Sequence, residues 1–348
     1  MADTIADAMP GGMPSVSIIM RTRDRPLLLR RALADVCAQT YQDWRLVIVD
    51  DGGDADEVDR LVAGQHGMAG RVTVLHNADA HGRAVSWNQG VEAGKSRYLA
   101  VHDDDDTWHP SFLARTVAHL DATDDAAVAV RTEIVYEHVE GDEIVEHARE
   151  VFFPDLRAVT LFDLVRTNRV VPIAMLYRRS VHEGIGPVRE DLPVVEDWEF
   201  NLRLAAAHTI GFLDGEALAF WHQRRAADGS LANSVIGLHG EHRTGDLKVR
   251  NEALKEHVAR HGLGGLLYLT QYVQQEFDHV HGRFAVGEDL TREALRVLAH
   301  QGELLQRQES LLRQQEQRLA QLERSVSDAS LVALVRRRYR RLKGPRTG

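Results

Sequence analysis

Short apolar runs alternate with helix-like segments along the first third of the chain. The runs are rich in Val, Ile and Leu and predict buried strands at Val16–Met20, Leu46–Val49, Val72–Leu75, Tyr98–His102 and Ala126–Val130. The segments between them repeat apolar residues at helical spacing and predict helices at Leu27–Ala38, Asp56–Ala63, Ala84–Ala93 and Pro110–Leu120. Strands that are apolar throughout are buried on both faces, so this alternation predicts a mostly parallel sheet flanked by helices, an α/β fold.

The pattern becomes less regular after residue 130. Glu133–Val151 alternates apolar and polar residues around Glu140-Gly141-Asp142, which predicts a β-hairpin. The segments that follow predict a helix at Ala158–Arg166, a strand at Ile173–Tyr177, a loop at Val181–Pro193, a helix at Glu196–His208 and a short strand at Leu218–Trp221.

Beyond residue 240 the pattern is helical throughout. Apolar residues recur every seven positions, which is heptad spacing, at Leu298, Leu305, Leu312, Leu319 and Val326. The companion positions are polar, at Gln301, Gln308 and Gln315, so the apolar seam is weak. The pattern leaves open a helical hairpin, a loose oligomerisation element and a long coiled coil.

These patterns divide the chain into four parts. We expect a disordered leader at residues 1–14, because this stretch is small, polar and contains Gly and Pro. An α/β domain follows at 15–240, with a first half of about 15–125 and a second of about 126–240. A helical extension with weak heptads covers 241–330, and a basic tail covers 331–348.

Composition narrows the functional classes. A net charge of −10 argues against a general nucleic-acid binder, which is normally basic. The single cysteine, Cys37, excludes an internal disulfide and a cysteine-based zinc cluster. With neither a signal-peptide pattern nor an apolar run of about 18 residues, we expect a cytoplasmic protein, with the inner face of the membrane as the alternative site. The tail mixes apolar residues with seven Arg and Lys and no acid, which favours either peripheral contact with anionic lipid or a solvated end.

Four consecutive carboxylates, Asp103 to Asp106, follow the predicted strand at Tyr98–His102. Like charges in a row need full solvation or a cation, and ligands of open α/β sheets bind at the ends of the strands. Asp103 and Asp105 form an Asp-x-Asp pair of hard oxygen ligands, which suits Mn²⁺ or Mg²⁺ when phosphates complete the coordination. A calcium loop and a solvated acidic turn are the alternatives.

Two further strand ends carry candidate binding residues. Asp50 and Asp51 precede Gly52, where a carboxylate is placed to bind a ribose hydroxyl or a base; an Asp-Gly turn is the alternative. Arg83 is a candidate contact for a phosphate or a base edge; a solvated surface arginine is the alternative. The first loop, Thr22–Pro26, lacks the Gly-x-Gly-x-x-Gly turn of dinucleotide-binding folds.

A pair of acids opens the helix predicted at Glu196–His208. Asp197 and Glu196 are the candidates for a general base, although an acid at a helix start is also explained by capping. His222 follows an apolar strand and is a candidate contact for the metal or a diphosphate; a packed or surface histidine is the alternative.

Together these motifs resemble family 2 glycosyltransferases of GT-A fold. The resemblance covers about residues 15–225, and Gly53 departs from it because serine usually follows Asp-Asp-Gly. The stretches that carry it are Val16–Arg25, Val47–Gly52, Gly82–Gly94, Tyr98–Pro110, Arg178–Gly186 and Glu196–Glu199.

The resemblance implies a role for each candidate residue. Residues 15–125 would form the nucleotide-binding half and 126–240 the acceptor half. The nucleotide would contact Thr22, Arg23, Asp50 or Asp51, and Arg83; the metal-bound diphosphate would contact Asp103, Asp105 and His222; and Asp104 would brace the loop or bind the donor sugar. Asp197 would be the base, with Glu196 as the second choice.

The function implied is an inverting, metal-dependent glycosyltransferase of cell-surface glycan or glycolipid synthesis. It would move a sugar from a UDP, GDP or dTDP donor to a carbohydrate, lipid-linked or other hydroxyl. A sugar nucleotidyltransferase is one alternative, but it favours a Gly-rich loop with a lysine, which Thr22–Pro26 lacks. A non-catalytic membrane-surface or assembly protein is the other, and it leaves Asp103, Asp105 and Asp197 without a role.

Overall fold

A computed structural model describes residues 14–224 and 239–342 of the chain. They fall into two compact units that divide between Glu256 and His257. All of the predicted leader except Pro14 lies outside the described residues, as do the last six residues of the predicted basic tail.

The strands belong to the first unit and form two sheets. In the described residues they are β1 (Val16–Thr22), β2 (Trp44–Asp51), β3 (Val72–Asn77), β4 (Tyr98–Val101), β5 (Thr107–Trp108), β6 (Ala127–Val130), β7 (Thr132–Glu140), β8 (Glu143–Val151), β9 (Met175–Arg178), β10 (Ile210–Leu213) and β11 (Ala219–Gln223). The larger sheet has the order β10-β6-β9-β4-β1-β2-β3, and the smaller has the order β5-β11-β7-β8.

The helices in the described residues are α1 (Pro26–Cys37), α2 (Ala55–Ala63), α3 (Arg83–Ala93), α4 (Phe112–Ala122), α5 (Leu161–Leu164), α6 (Arg179–Ile185), α7 (Glu196–Ala207), α8 (His239–His261) and α9 (Gly264–Leu342). A 3-10 turn at Pro172–Ala174 precedes β9.

The larger sheet is parallel except at β9, which runs antiparallel to both β4 and β6. Strand β1 lies between β2 and β4, with Thr22 opposite Asp50 and Ile19 opposite Val101. This register places the carboxyl ends of β1, β2 and β4 side by side, and the acidic stretch that follows β4 therefore emerges next to the end of β1. The predicted α/β architecture with a mostly parallel sheet, flanking helices and a helical extension is confirmed.

Three details differ from the sequence pattern. The segment predicted as a loop at Val181–Pro193 begins inside α6, whose helical turn is too short for a clear apolar period. The helix predicted at Ala158–Arg166 is reduced to the single turn of α5. Strand β10 was not predicted, since only four residues pair with β6 at the sheet edge.

The first half of α8 packs within the first unit. Val249 is buried against Leu192 and Trp198, and Lys248 Nζ lies 2.6 Å from the carboxylate of Asp191. The compact unit therefore extends to Glu256, whereas the sequence pattern placed the end of the domain at residue 240.

The second unit consists mainly of α9, a continuous helix of 79 residues. Its heptad residues, from Leu298 to Val326, are between 59% and 68% exposed, so no apolar side chains cover this face within residues 14–224 and 239–342. Because the helix is uninterrupted, residues Gly264–Leu342 do not form the helical hairpin that the sequence left open. Self-association through the heptad face stays a prediction. None of the described helices is long and apolar enough to cross a membrane.

Close packing of α3 on β1 gives a stability prediction. A Cβ added at Gly90 would lie 2.3 Å from Cγ2 of Ile19, a fully buried β-branched side chain with little freedom to move. We expect Gly90→Ala to lower the free energy of unfolding by about 1–3 kcal/mol, as overpacked cores do. Urea denaturation measures the change. Gly240→Ala in α8, where no atom lies within 4 Å of the added Cβ, is the matched control and should not destabilise; equal stability of the two variants would contradict the packing argument.

Candidate active site

A cavity of about 790 Å³ lies where the carboxyl ends of β1, β2 and β4 meet the start of α7. Most of the predicted site residues line it together: Thr22, Arg23, Asp51, Arg83, Asp103, Asp104, Asp105, Glu196 and Asp197. Among the described lining residues, Asp50 and His222 are missing. Thr22 and Asp197, which are 175 positions apart in sequence (197 − 22), thus share one space, which is the condition for a common chemical role.

Arg21 joins the acidic stretch to the start of α7. Its guanidinium forms a bidentate pair with Asp103, with Nη2 at 2.5 and 2.8 Å from the two carboxylate oxygens. Its Nη1 reaches Oε1 of Glu196 at 3.4 Å and also donates to the carbonyl of Arg83. Arg21 is 7% exposed, so these contacts compensate a buried charge.

Other arginines surround the rest of the acidic stretch. Arg25 Nη1 lies 3.2 Å from Asp104 and 3.4 Å from Asp105, and Arg224 Nη2 lies 2.6 Å from Asp105. Burial alone would raise the pKa of Asp105, but the charges of Arg224 and Arg25 outweigh it and lower that pKa. Asp105 is therefore held as a carboxylate.

Asp104 and Asp106 are more deeply buried than their neighbours. Burial raises the pKa of Asp104 to about 6, against the charge of Arg25, and Thr22 Oγ1 donates to this carboxylate at 2.8 Å. Burial and the charge of Asp105 raise the pKa of Asp106 well above its usual range. Asp106 accepts a hydrogen bond from the backbone N–H of His222. Both residues border the cavity, and these hydrogen bonds use their carboxyl groups to brace the loop.

The two aspartates at the end of β2 have different surroundings. Asp51 accepts hydrogen bonds from the N–H groups of His81 and Gly82 at 2.9 and 2.8 Å, which outweigh burial and lower its pKa. Asp50 points to the other side of the loop, where it accepts from the N–H of Gly53 and contacts His76. Of the pair, Asp51 is the residue that lines the cavity.

The glycine that departs from the family pattern has a local explanation. A Cβ at residue 53 would lie 2.6 Å from Oδ1 of Asp50 and 3.1 Å from the backbone N of Asp24. Gly53 therefore permits the loops after β1 and β2 to approach each other beside the cavity.

The two acids at the start of α7 also have different surroundings. Glu196 is paired twice, with Arg21 and with Arg83 Nη2 at 3.2 Å. Asp197 forms no ion pair within the described residues; its Oδ2 accepts one hydrogen bond, from Asn168 Nδ2 at 2.7 Å. Burial and the neighbouring charge of Glu196 raise the pKa of Asp197 to about 6, against the charge of Arg83.

The backbone before these acids is strained. Val195 has a φ of 60°, in the left-handed region that β-branched residues rarely adopt. Its side chain lies against Gly245 of α8, where a Cβ would come within 2.8 Å of Cγ2. The close approach of α8 therefore holds Val195, and with it the start of α7, in this conformation.

His222 lies behind the acidic stretch. Its Nδ1 is 2.5 Å from Oε2 of Glu137, and its Nε2 is 2.8 Å from Oγ1 of Thr107. Because both ring nitrogens contact protein groups and the side chain does not line the described cavity, nothing in this arrangement supports the predicted metal role of His222. Its contacts instead connect β11 to β7 and to the end of the acidic stretch.

The remaining predicted ligands fit a hard divalent cation. Asp103 and Asp105 both line the cavity, and carboxylate oxygens are hard ligands of the kind that such a cation prefers. No cluster of three or more metal-ligating side chains occurs in the part of the chain that the structure describes. A pair of carboxylates is nevertheless sufficient where phosphate oxygens supply further ligands.

Comparison with known proteins places this site in a family. The model described as glycosyl transferase family 2 matches residues 17–186, nearly half of the chain. This is the family that the sequence motifs resemble. The matched range contains the strands from β1 to β9, helix α6 and the acidic stretch, and it ends before the two acids at the start of α7.

Two relatives illustrate how much of each chain such matches cover. The O-antigen biosynthesis protein RfbC of Myxococcus xanthus is 28% identical over 252 residues, 72% of this chain and 18% of that protein. A PGL/p-HBAD biosynthesis glycosyltransferase of Mycobacterium tuberculosis is 28% identical over 191 residues, 55% of this chain and 69% of that protein. The match therefore spans less than a fifth of the first relative.

Solved structures agree in fold. The crystal structure of S. aureus TarS residues 1–349 in complex with UDP-GlcNAc has a TM-score of 0.51 and 18% sequence identity, covering 63% of this chain and 61% of that one. At this identity the likeness concerns the fold alone.

Several residues of the candidate site were not predicted from the sequence. Arg21 directly follows the apolar run Val16–Met20, and Arg224 comes soon after the short strand predicted at Leu218–Trp221; neither position belongs to a recognisable motif. Asn168 lies in the irregular stretch before β9, and nothing local marks its contact with a residue 29 positions away. The available signal for the arginines was electrostatic, since consecutive buried carboxylates require compensating cations.

The hydrogen bond from Asn168 gives a prediction about the pKa of Asp197. This bond favours the ionised carboxylate, so its loss in Asn168→Ala should raise the pKa of Asp197 further, from about 6 by about one pH unit. A pH titration of the aspartate carboxyl ¹³C signals measures it, with the Asp197 signal assigned by its absence in Asp197→Asn. Asn88→Ala, which removes hydrogen bonds to Val188 and Glu190, is the control; a similar titration of Asp197 in both variants would contradict the role given to Asn168.

Proposed function

We propose that this chain transfers a sugar from a nucleoside-diphosphate donor to an acceptor hydroxyl, with inversion at the anomeric carbon and with Mn²⁺ or Mg²⁺ on the diphosphate. The proposal is based on the different surroundings of the carboxyl groups that line one cavity. Asp103 and Asp105 are carboxylates held by arginines, while Asp197 has no arginine partner among the described residues and a pKa raised to about 6.

The chemistry requires one base. Asp197 accepts the proton of the acceptor hydroxyl as that oxygen bonds to the anomeric carbon, and the bond from this carbon to the diphosphate oxygen breaks. The electron pair of the broken bond leaves with the diphosphate. A single displacement of this kind inverts the anomeric centre and needs no covalent intermediate on the enzyme. Glu196, neutralised by Arg21 and Arg83, acts through position and charge rather than as the base.

The other side of the cavity holds the donor in this proposal. Asp103 and Asp105 would hold the cation, and the cation when bound neutralises the charge of the departing diphosphate. Thr22, Arg23, Asp51 and Arg83 would contact the nucleotide, since they line the cavity at the ends of β1 and β2 and at the start of α3. Asp104 braces the loop through Thr22 and Arg25, and His222 is left out of the proposed metal ligands.

Comparison with similar proteins suggests a donor class and a biosynthetic pathway. TarS was solved with UDP-GlcNAc, so UDP-sugars are the first donors to test, followed by GDP- and dTDP-sugars. The names of the relatives refer to O-antigen and PGL/p-HBAD biosynthesis, and we place this enzyme in cell-surface glycan or glycolipid synthesis on that ground.

A donor screen that measures release of the nucleoside diphosphate tests the proposal. We expect release from one donor class, stimulated by Mn²⁺ or Mg²⁺, with activity falling as the pH drops below about 6 because Asp197 becomes protonated. Asp197→Asn should lower kcat by about 10²–10⁴-fold. Asp191→Asn, a half-exposed acid on the surface loop before α7, is the control. Release at the wild-type rate by Asp197→Asn would overturn the assignment of the base.

We further propose that the end of α9 contacts an anionic membrane surface, which would locate the enzyme at the cytoplasmic face of a membrane. Leu331, Val335, Tyr339 and Leu342 are exposed and spaced by three or four residues, so they share one side of the helix. The opposite side carries Arg336, Arg337, Arg340 and Arg341. A basic amphipathic helix of this form suits the headgroup region of anionic lipid.

Vesicle co-sedimentation tests the membrane contact. Deleting residues 331–348 should lower the fraction bound to vesicles that contain phosphatidylglycerol, with no loss of donor hydrolysis. Val335→Asn should weaken binding by about tenfold, because Val335 lies at the centre of the apolar side. Leu334→Asn is the matched control, since Leu334 is similarly exposed and lies among the arginines. Unchanged sedimentation of the deletion variant would remove the proposal.

A further inference from the structure

Helix α5 turns an apolar face outward next to the cavity. Leu161, Phe162 and Val165 are 39%, 71% and 43% exposed. Val165 follows Phe162 by three residues and Leu161 by four, so it lies beside both on the outer side of the turn. Leu164 is fully buried. Three large apolar side chains exposed on one turn form a patch that isolated surface residues do not.

The position of this turn is fixed by hydrogen bonds from neighbouring elements. Thr160 caps its start by accepting from the N–H of Asp163. Trp198 Nε1 donates to the carbonyl of Leu164 at 2.7 Å, and Arg250 Nη1 donates to the carbonyl of Val165 at 2.7 Å. Because α7 and α8 both hold the turn, exposure of the apolar face is a property of a fixed element rather than of a loose end.

Arg166 lies between the apolar face and the cavity. The Cζ atom of Arg166 lies 5.9 Å from the ring centroid of Phe162. Arg166 and Asn168 line the cavity, and Asn168 holds Asp197. Arg166 has no ion pair with any acid in the described parts of the chain. Within eight residues of sequence, the surface thus changes from apolar to cationic to the group that orients the proposed base.

We propose that Leu161, Phe162 and Val165 bind the hydrocarbon chain of a lipid-linked acceptor, with the anionic linkage of that acceptor beside Arg166 and its sugar in the cavity. The proposal rests on the proposed function in one respect, that Asp197 activates the acceptor. A purely carbohydrate acceptor has no group that matches three exposed apolar side chains, whereas an amphiphile with a phosphate next to its hydrocarbon matches both the apolar face and the arginine.

Binding of farnesyl phosphate to the full chain tests this surface without relying on turnover. Isothermal titration should detect binding of farnesyl phosphate. Farnesol and inorganic phosphate should bind more weakly, because farnesol lacks the phosphate and inorganic phosphate lacks the hydrocarbon chain. Phe162→Ser should weaken farnesyl phosphate at least about tenfold, the scale expected when a buried aromatic contact is lost. Arg166→Gln should abolish the preference for farnesyl phosphate over farnesol.

A matched control separates this face from general hydrophobic adsorption. Phe284 in α9 is 70% exposed, nearly the same as Phe162, and Phe284→Ser should leave farnesyl phosphate binding unchanged. Equal weakening in the two variants, or none in Phe162→Ser, would overturn the proposal. So would a loss of vesicle binding in Phe162→Ser with unchanged affinity for farnesyl phosphate, because the face would then contact bulk lipid.

Two further measurements on the same wild-type protein, nucleoside-diphosphate binding and donor turnover, test the proposed function separately from the lipid-binding surface. If neither occurs while farnesyl phosphate binding depends on Phe162, the amphiphile surface stands and the transferase proposal falls. If donor turnover occurs and farnesyl phosphate does not bind, the acceptor surface is overturned and the transferase proposal stands.

Discussion

The site depends on the compensation of buried carboxylates by buried arginines. Asp103, Asp104 and Asp105 follow a strand that is buried on both faces, and leaving such charges without partners would cost several kcal/mol each. The compensation comes from Arg21 in β1, Arg25 directly before α1 and Arg224 directly after β11. The same contacts tie three separate segments of chain together, so the charge balance of the site is also its mechanical support.

Against this background, Asp197 differs from its neighbours. Glu196 receives two arginines and Asp103 receives a bidentate one, while in the described residues Asp197 has a hydrogen bond from Asn168 but no ion pair. The result is a carboxyl whose pKa is raised to about 6, near the range in which a base works well at neutral pH. The pattern of pairing thus distinguishes two adjacent acids that the sequence left as alternatives. The strained backbone at Val195, held by the approach of α8, fixes their orientation.

Much of this arrangement could be predicted from the sequence because it follows from local patterns. The apolar runs before Asp51 and Asp103 placed these acids at strand ends, and parallel strands bring their ends to one edge. What could not be predicted depends on contacts between distant segments. Nothing local distinguishes Asp50 from Asp51, or shows that His222 faces Glu137 rather than the cavity. The short elements α6 and β10 were missed because one or two turns or four paired residues leave no measurable period, and the packing of α8 on Trp198 depends on tertiary contacts alone.

In the proposed mechanism, Asp103 and Asp105 hold a divalent cation together with a nucleoside diphosphate. Isothermal titration of the protein with UDP, GDP and dTDP, with and without Mn²⁺, measures this coupling. We expect one of these nucleotides to bind at least about tenfold more tightly with Mn²⁺, and we expect Asp103→Asn, verified as folded by circular dichroism, to lose this gain. An affinity that is the same with and without Mn²⁺, or a gain that persists in Asp103→Asn, would contradict a cation held by these two aspartates.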